Sequence, residues 1–119
     1  MTTYFVSRHP GARDWACEQG ILVDQQVEHL QVEKVQAGDW VLGTLPVHLA
    51  GIVCERGARY FHLSMEVAQA LRGKDMSAAQ MAVCGARLEC YDIRRHALAS
   101  LPRQAPGRPA NFQHSEIDR

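Results

Sequence analysis

The sequence predicts an α/β domain built on an open, mostly parallel sheet flanked by helices. Three observations carry that expectation. Short apolar, β-branched or aromatic runs alternate with stretches of helical spacing. Gly20, Gly57 and Gly73 stand where the helical stretches stop. Two of the strand-like runs pass into prolines, Pro10 and Pro46. Proline suits the first turn of a helix, where its missing N–H would be unpaired anyway.

Thr3-Tyr4-Phe5-Val6 reads as a buried strand, and Ser7-Arg8-His9 ends it. Pro10 and Gly11 open a helix through Gln19, with Ala12, Trp15 and Ala16 on one face. Residues 21–32 hold Val23, Val27 and Val32, but Gln25, Gln26, Glu28 and His29 make the strand polar and edge-like. Gln36-Ala37-Gly38-Asp39 is a turn. Trp40 to Gly43 is a third strand, and Pro46 to Arg56 a helix with Val47, Ala50, Val53 and Cys54 at helical spacing. Arg59 to Leu63 is a fourth strand. Ser64 is placed to cap a short helix, Met65 to Leu71. Ser77 and Gln80 form a capping-box pattern for another helical turn. Residues 86–94 alternate as a last strand, with a helix as the rival. Pro102, Pro106, Gly107 and Pro109 interrupt any pattern later, so the domain is expected over 1–98 and a flexible tail over 99–119.

The totals narrow the function. The chain has 119 residues, 46% hydrophobic and 22% charged, which suits one domain. Thirteen basic residues balance thirteen acidic ones. Residues 1–50 carry a net −3 and residues 51–119 a net +3. That is a mildly basic second half without the clustered Lys and Arg of a duplex DNA binder. A small nucleotide in a pocket is compatible with it. No signal peptide is expected, and no apolar run approaches the ~18 residues needed to span a membrane. Cys17, Cys54, Cys84 and Cys90 lack a Cys-x-x-Cys pair and sit among apolar residues, so buried, reduced, cytoplasmic thiols are expected. The six histidines show no zinc-type spacing, and neither a metal nor another cofactor is expected.

If the edge-like second strand lies outside the first, the sheet order is 2-1-3-4. Ligands in such sheets bind at the carboxyl ends of the strands beside the point where the order reverses. Those ends are Ser7-Arg8-His9 and Gly43-Thr44, each leading to a helix whose first N–H groups favour an anion. Ser7, His9 and His48 are the candidate catalytic residues. Arg8, Gly43, Thr44, Pro46 and Ser64 are the candidate phosphate or nucleotide ligands. Arg8 offers a planar fork to phosphate, and histidine suits proton transfer near neutral pH. The competing structural roles are helix capping for Ser7, His9 and Thr44, a solvated charge for Arg8, and an ordinary helical position for His48. Trp15 and Trp40 are expected in the core, His62 as a packed or exposed strand residue, and Arg56, Arg59, Arg94 and Arg95 as surface charges. No Gly-x-Gly-x-x-Gly, P-loop or paired-carboxylate pattern is present. Metal-free phosphodiester cleavage fits the residues available, because a ribose 2′-OH can attack its own phosphate once geometry and charge are controlled.

Tyr4-Phe5-Val6-Ser7-Arg8-His9-Pro10-Gly11-Ala12, Trp15-Ala16, Gly43-Thr44-Leu45-Pro46-Val47-His48-Leu49-Ala50, Arg56-Gly57-Ala58-Arg59-Tyr60 and His62-Leu63 together resemble a small CRISPR-associated family. It is number sixteen of the Csx series of ancillary proteins found beside type III CRISPR loci. The resemblance runs in order from about residue 4 to residue 95. It implies a Rossmann-like (CARF-like) domain and a ring nuclease acting on cyclic tetra-adenylate, which switches the antiviral response off. It also implies a homodimer with the ring held across its two-fold axis. The expected products are linear, with 2′,3′-cyclic phosphate ends. The alternatives are a protein that binds the ring without cutting it, and one that docks on the CRISPR effector.

Overall fold

The computed structural model describes residues 1–67 and 69–96. The expected tail, 99–119, and the domain boundary after residue 98 lie outside the described residues. Five strands form one sheet: β1 (Thr3–Val6), β2 (Gln25–Val27), β3 (Trp40–Gly43), β4 (Arg59–Ser64) and β5 (Arg87–Tyr91). The order is β2-β1-β3-β4-β5. The first four strands are parallel, and β5 runs antiparallel to β4. The expected order and reversal point are therefore present, with β5 added beyond β4. The architecture is a small α/β domain consistent with a Rossmann-like fold.

Alternation along the strands sends side chains to two cores. On one face, Phe5, Leu42 and Leu63 meet helix α1 (Ala12–Glu18) through Ala12, Trp15 and Ala16. Met76, Met81 and Cys84, in and around helix α3 (Ala78–Val83), close that layer. Phe5 and Trp15 meet edge to face at 6.4 Å. On the other face, Val41 and Tyr60 pack with Val35, Leu45 and Ala58, and with Ala50 and Val53 of helix α2 (Val47–Glu55). Asp39 is buried because its carboxylate accepts the N–H groups of Thr2 and Gln36, both at 2.9 Å, locking the turn before β3 to the start of β1.

The structure corrects several expectations. The second strand is Gln25–Val27 rather than 21–32. Arg13 binds the carbonyls of Val23 and Asp24 ahead of it, and Val32–Lys34 forms a 3-10 turn after it. The helix expected over Met65–Leu71 is reduced to a 3-10 turn at Gln69–Leu71. Met65, Val67 and Leu71 all pack on the core, and Glu66 N–H bonds Cys84 O at 2.8 Å, which holds the chain out of a helix. Ser64 ends β4 and caps nothing; its hydroxyl donates to Glu89 at 3.1 Å. The last strand wins over its helical rival but spans Arg87–Tyr91 and is antiparallel. α3 has six residues and rises only about 9 Å, too little to carry the chain back along β4. Of the four cysteines, Cys84 alone is buried; Cys54 is half-buried, and Cys17 and Cys90 are exposed. Arg56 is exposed but does more than carry charge, since its guanidinium binds the carbonyls of Val35 and Glu33 at 2.7 and 3.0 Å. Among the described residues, no helix is long and apolar enough to cross a membrane.

Candidate functional site

β1 ends at Val6, and the next five residues turn the chain toward α1. This turn is held from outside. The side-chain amide of Gln26, on the edge strand β2, donates to the carbonyls of both Ser7 and His9, at 3.1 and 2.7 Å. Ser7 Oγ accepts the His9 N–H at 3.1 Å. Gly11 N–H donates to Met76 O at 3.0 Å, and a β-carbon on Gly11 would stand 2.0 Å from the Ala78 nitrogen. Only glycine permits this approach of the turn to the segment leading into α3. The same bonds overturn part of the sequence reading. Neither Ser7 nor His9 caps α1, whose N-cap is Gly11, and the N–H groups of His9, Gly11 and Ala12 are already engaged.

His9 is the central side chain. Its Nδ1 accepts the Met76 N–H at 3.1 Å. A backbone N–H can only donate, so Nδ1 carries no proton and the remaining hydrogen sits on Nε2. Burial, then the Arg8 charge, lower its pKa below the ordinary 6.5, with Asp75 opposing. At neutral pH His9 is therefore a neutral imidazole presenting an Nε2–H donor. Arg8 lies 3.6 Å from Asp75, with both side chains more than half exposed. Such a pair contributes little and leaves the guanidinium open to an anion.

These residues edge a cleft of about 340 Å³ between the β1–α1 turn and the segment after β4. Arg8, His9, Arg72 and Lys74 supply its polar groups, and Met65, Val67, Leu71 and Met76 its apolar ones. Arg72, Lys74 and the four apolar residues were not among the sequence candidates. The signal available was Arg72-Gly73-Lys74, two cations around a glycine in the loop leaving β4, at the ligand-binding end of the sheet. The helical spacing of residues 65–71 hides it. Gln26 offered no signal beyond polarity in an edge strand.

The β3 half of the expected site is closed on itself. Tyr60, 1% exposed, accepts Leu45 N–H at 3.0 Å and reaches Gly43 O at 3.2 Å and His62 Nδ1 at 2.7 Å. Gly43 has φ +144°, and a β-carbon there would stand 2.5 Å from Val6 O. Thr44 donates its hydroxyl hydrogen to Leu63 O at 2.9 Å and does not cap α2. Pro46 is itself the N-cap. Ser64 lies on the α2 face with Tyr60 and His62, by strand alternation. His48 is exposed on α2 and lines a different cleft, of about 590 Å³, with Val47, Gly51 and residues Asp92 to Arg95. The structure thus brings Arg8 and His9 into one cleft, over a turn set by Ser7, and places His48 elsewhere. Among the described residues, no three His, Cys, Asp or Glu side chains converge to hold a metal ion.

A family model described as "Putative CRISPR-associated protein (Cas_VVA1548)" matches residues 4–94. The chain belongs to this family. The match takes in every strand and helix of the fold, apart from Thr3 at the start of β1, and all residues of the Arg8–His9 cleft. No curated protein and no solved structure matches the chain. For this Cas_VVA1548 member, the cleft is the place where cations and an oriented imidazole meet at the carboxyl end of the parallel strands.

Proposed function

We propose that this protein is a metal-independent ring nuclease of the sixteenth Csx type, cleaving cyclic tetra-adenylate in the cytoplasm to switch off type III CRISPR signalling. The observation that carries the reading is that Arg8, Arg72 and Lys74 line one cleft with His9, whose Nδ1 is held by Met76 N–H, at the carboxyl end of the sheet in a CRISPR-associated chain. The cations neutralise a phosphodiester, and His9 donates to a non-bridging oxygen as charge builds. The ribose 2′-oxygen bonds to phosphorus and the P–O5′ bond breaks. The products are a 2′,3′-cyclic phosphate and a 5′-hydroxyl; the proton lost from the 2′-OH and the one gained by the 5′-oxygen exchange with solvent. A 340 Å³ cleft lies at the low end of the ~300–1,000 Å³ typical of small-ligand pockets. It suits one nucleotide unit, so the reading includes a homodimer whose two clefts share one ring.

One observation favours binding without cleavage: His9 Nδ1 is occupied by Met76 N–H. No free imidazole base then faces the phosphate.

Incubating labelled cyclic tetra-adenylate with excess protein in EDTA separates the readings. Linear fragments ending in 2′,3′-cyclic phosphate are expected. Ring that is retained intact supports sequestration instead. A ring that neither binds nor changes would sink both and leave docking on the effector.

A further inference from the structure

The cleft is lined by cations and by apolar side chains, and a phosphate site alone does not explain the apolar ones. Arg8, Arg72 and Lys74 are exposed cations. Beside them Met65, Val67 and Leu71 are half-buried, each packed on the core around Phe5 and Trp15 while also lining the cleft. Met76, 2% exposed, forms the floor, and its N–H is the group that orients His9. A bare anion gains nothing from an apolar wall and is better served by water there. A flat apolar group joined to an anion uses both halves. Methionine favours such a group, because its polarisable thioether packs well on a ring face.

We propose that the cleft is a single-nucleotide seat, in which Met65, Val67 and Leu71 take the base and Arg8, Arg72 and Lys74 take its phosphate. The proposal rests on the reading of this cleft as the nucleotide site and deepens it by assigning the base. Size agrees: 340 Å³ is enough for one base with its sugar phosphate and too little to enclose a ring of four. One consequence is independent of any ring: a free nucleoside monophosphate binds the full-length protein by itself.

The test titrates the protein with 5′-AMP, ribose 5-phosphate and inorganic phosphate while following the methionine methyl signals by NMR. AMP is expected to bind about tenfold more tightly than ribose 5-phosphate, the scale of one stacked base. The Met65 and Met76 methyls should shift upfield with AMP only, from the ring current. Leu71→Ser should weaken AMP several-fold and leave ribose 5-phosphate unchanged, whereas Arg72→Gln should weaken both. Equal affinities for AMP and ribose 5-phosphate would overturn the base assignment, as would AMP that leaves both methyls unmoved. If the wild-type protein cuts cyclic tetra-adenylate and AMP fails to compete, the base seat is wrong and the nuclease reading stands. If AMP shifts the methyls while the ring is neither bound nor cut, the seat stands and the nuclease reading falls.

Discussion

His9 and Met76, 67 positions apart, share one hydrogen bond, in which the Met76 N–H donates to His9 Nδ1 at 3.1 Å. That bond joins the turn after β1 to the entry of α3 and leaves Nε2 as the imidazole nitrogen that carries the hydrogen. Protonating Nδ1 breaks it.

A pH dependence of stability follows. His9 titrates below 6.5 in the folded chain, first because of burial and then because of Arg8. Just below pH 6.5 the unfolded chain binds more protons, so stability rises with pH there and is lost as pH falls. Urea midpoints measured between about pH 7 and pH 5 should fall more steeply for wild type than for His9→Asn. The asparagine Oδ1 keeps an acceptor for Met76 N–H but does not titrate. Parallel slopes would assign the pH dependence to other groups.

The Tyr60 hydroxyl is buried and serves Leu45 N–H. Tyr60→Phe leaves that N–H unpaired and should cost about 2 kcal/mol in equilibrium urea unfolding. A cost near zero would mean that the β3–α2 turn relaxes to find another acceptor.

Gly11 and Gly20 should respond differently to alanine. At Gly11 the new methyl meets Ser77 and Ala78 backbone at 2.0–2.6 Å, whereas at Gly20 it meets nothing within 4 Å. Gly11→Ala should cost about 3 kcal/mol through overpacking. Gly20→Ala should cost about 1 kcal/mol, from its φ of +84° alone. Similar losses at both positions would contradict the close approach of the two segments.

The two clefts also separate. Arg72→Gln and Lys74→Gln should each lower affinity for cyclic tetra-adenylate about tenfold, the scale of a charge-assisted contact. His48→Ala should leave the single-turnover rate within about twofold, because His48 lines the other cleft. A collapse of the rate in His48→Ala would move the chemistry to α2.

The parts of this fold that were legible in the sequence are those governed by local pattern. Thr3–Val6 and Trp40–Gly43 declared themselves by β-branched and aromatic residues, and Ser77 with Gln80 forms the capping box their spacing announced. The reversal between β1 and β3 followed from the polarity of the edge strand. The position of Arg8 and His9 just past the carboxyl end of β1 was legible from where the apolar run Thr3–Val6 stops. Long-range bonds defeated the rest. Nothing near His9 in sequence announces Met76, and nothing near Leu45 announces Tyr60. The segment from Met65 to Leu71 has helical spacing, but Met65, Val67 and Leu71 are drawn to the core and the Glu66 N–H to Cys84 O, while the cations that follow it, Arg72 and Lys74, line the cleft.

β1 is an inner strand of the sheet, and both of its neighbours, β2 and β3, follow it in the chain. During synthesis it leaves the ribosome with both edges bare. Its pairing to β2 covers only three residues, Tyr4 to Val6 against Gln25 to Val27, too little to be stable alone. Trp40–Gly43 supplies the second edge and buries Leu42 beside Phe5. A force-profile experiment on nascent chains should show its first rise only once Gly43 has cleared the exit tunnel. Until then the apolar centre of the protein is open to other chains, so slowing translation before residue 43 should favour aggregation, while slowing it afterwards should not.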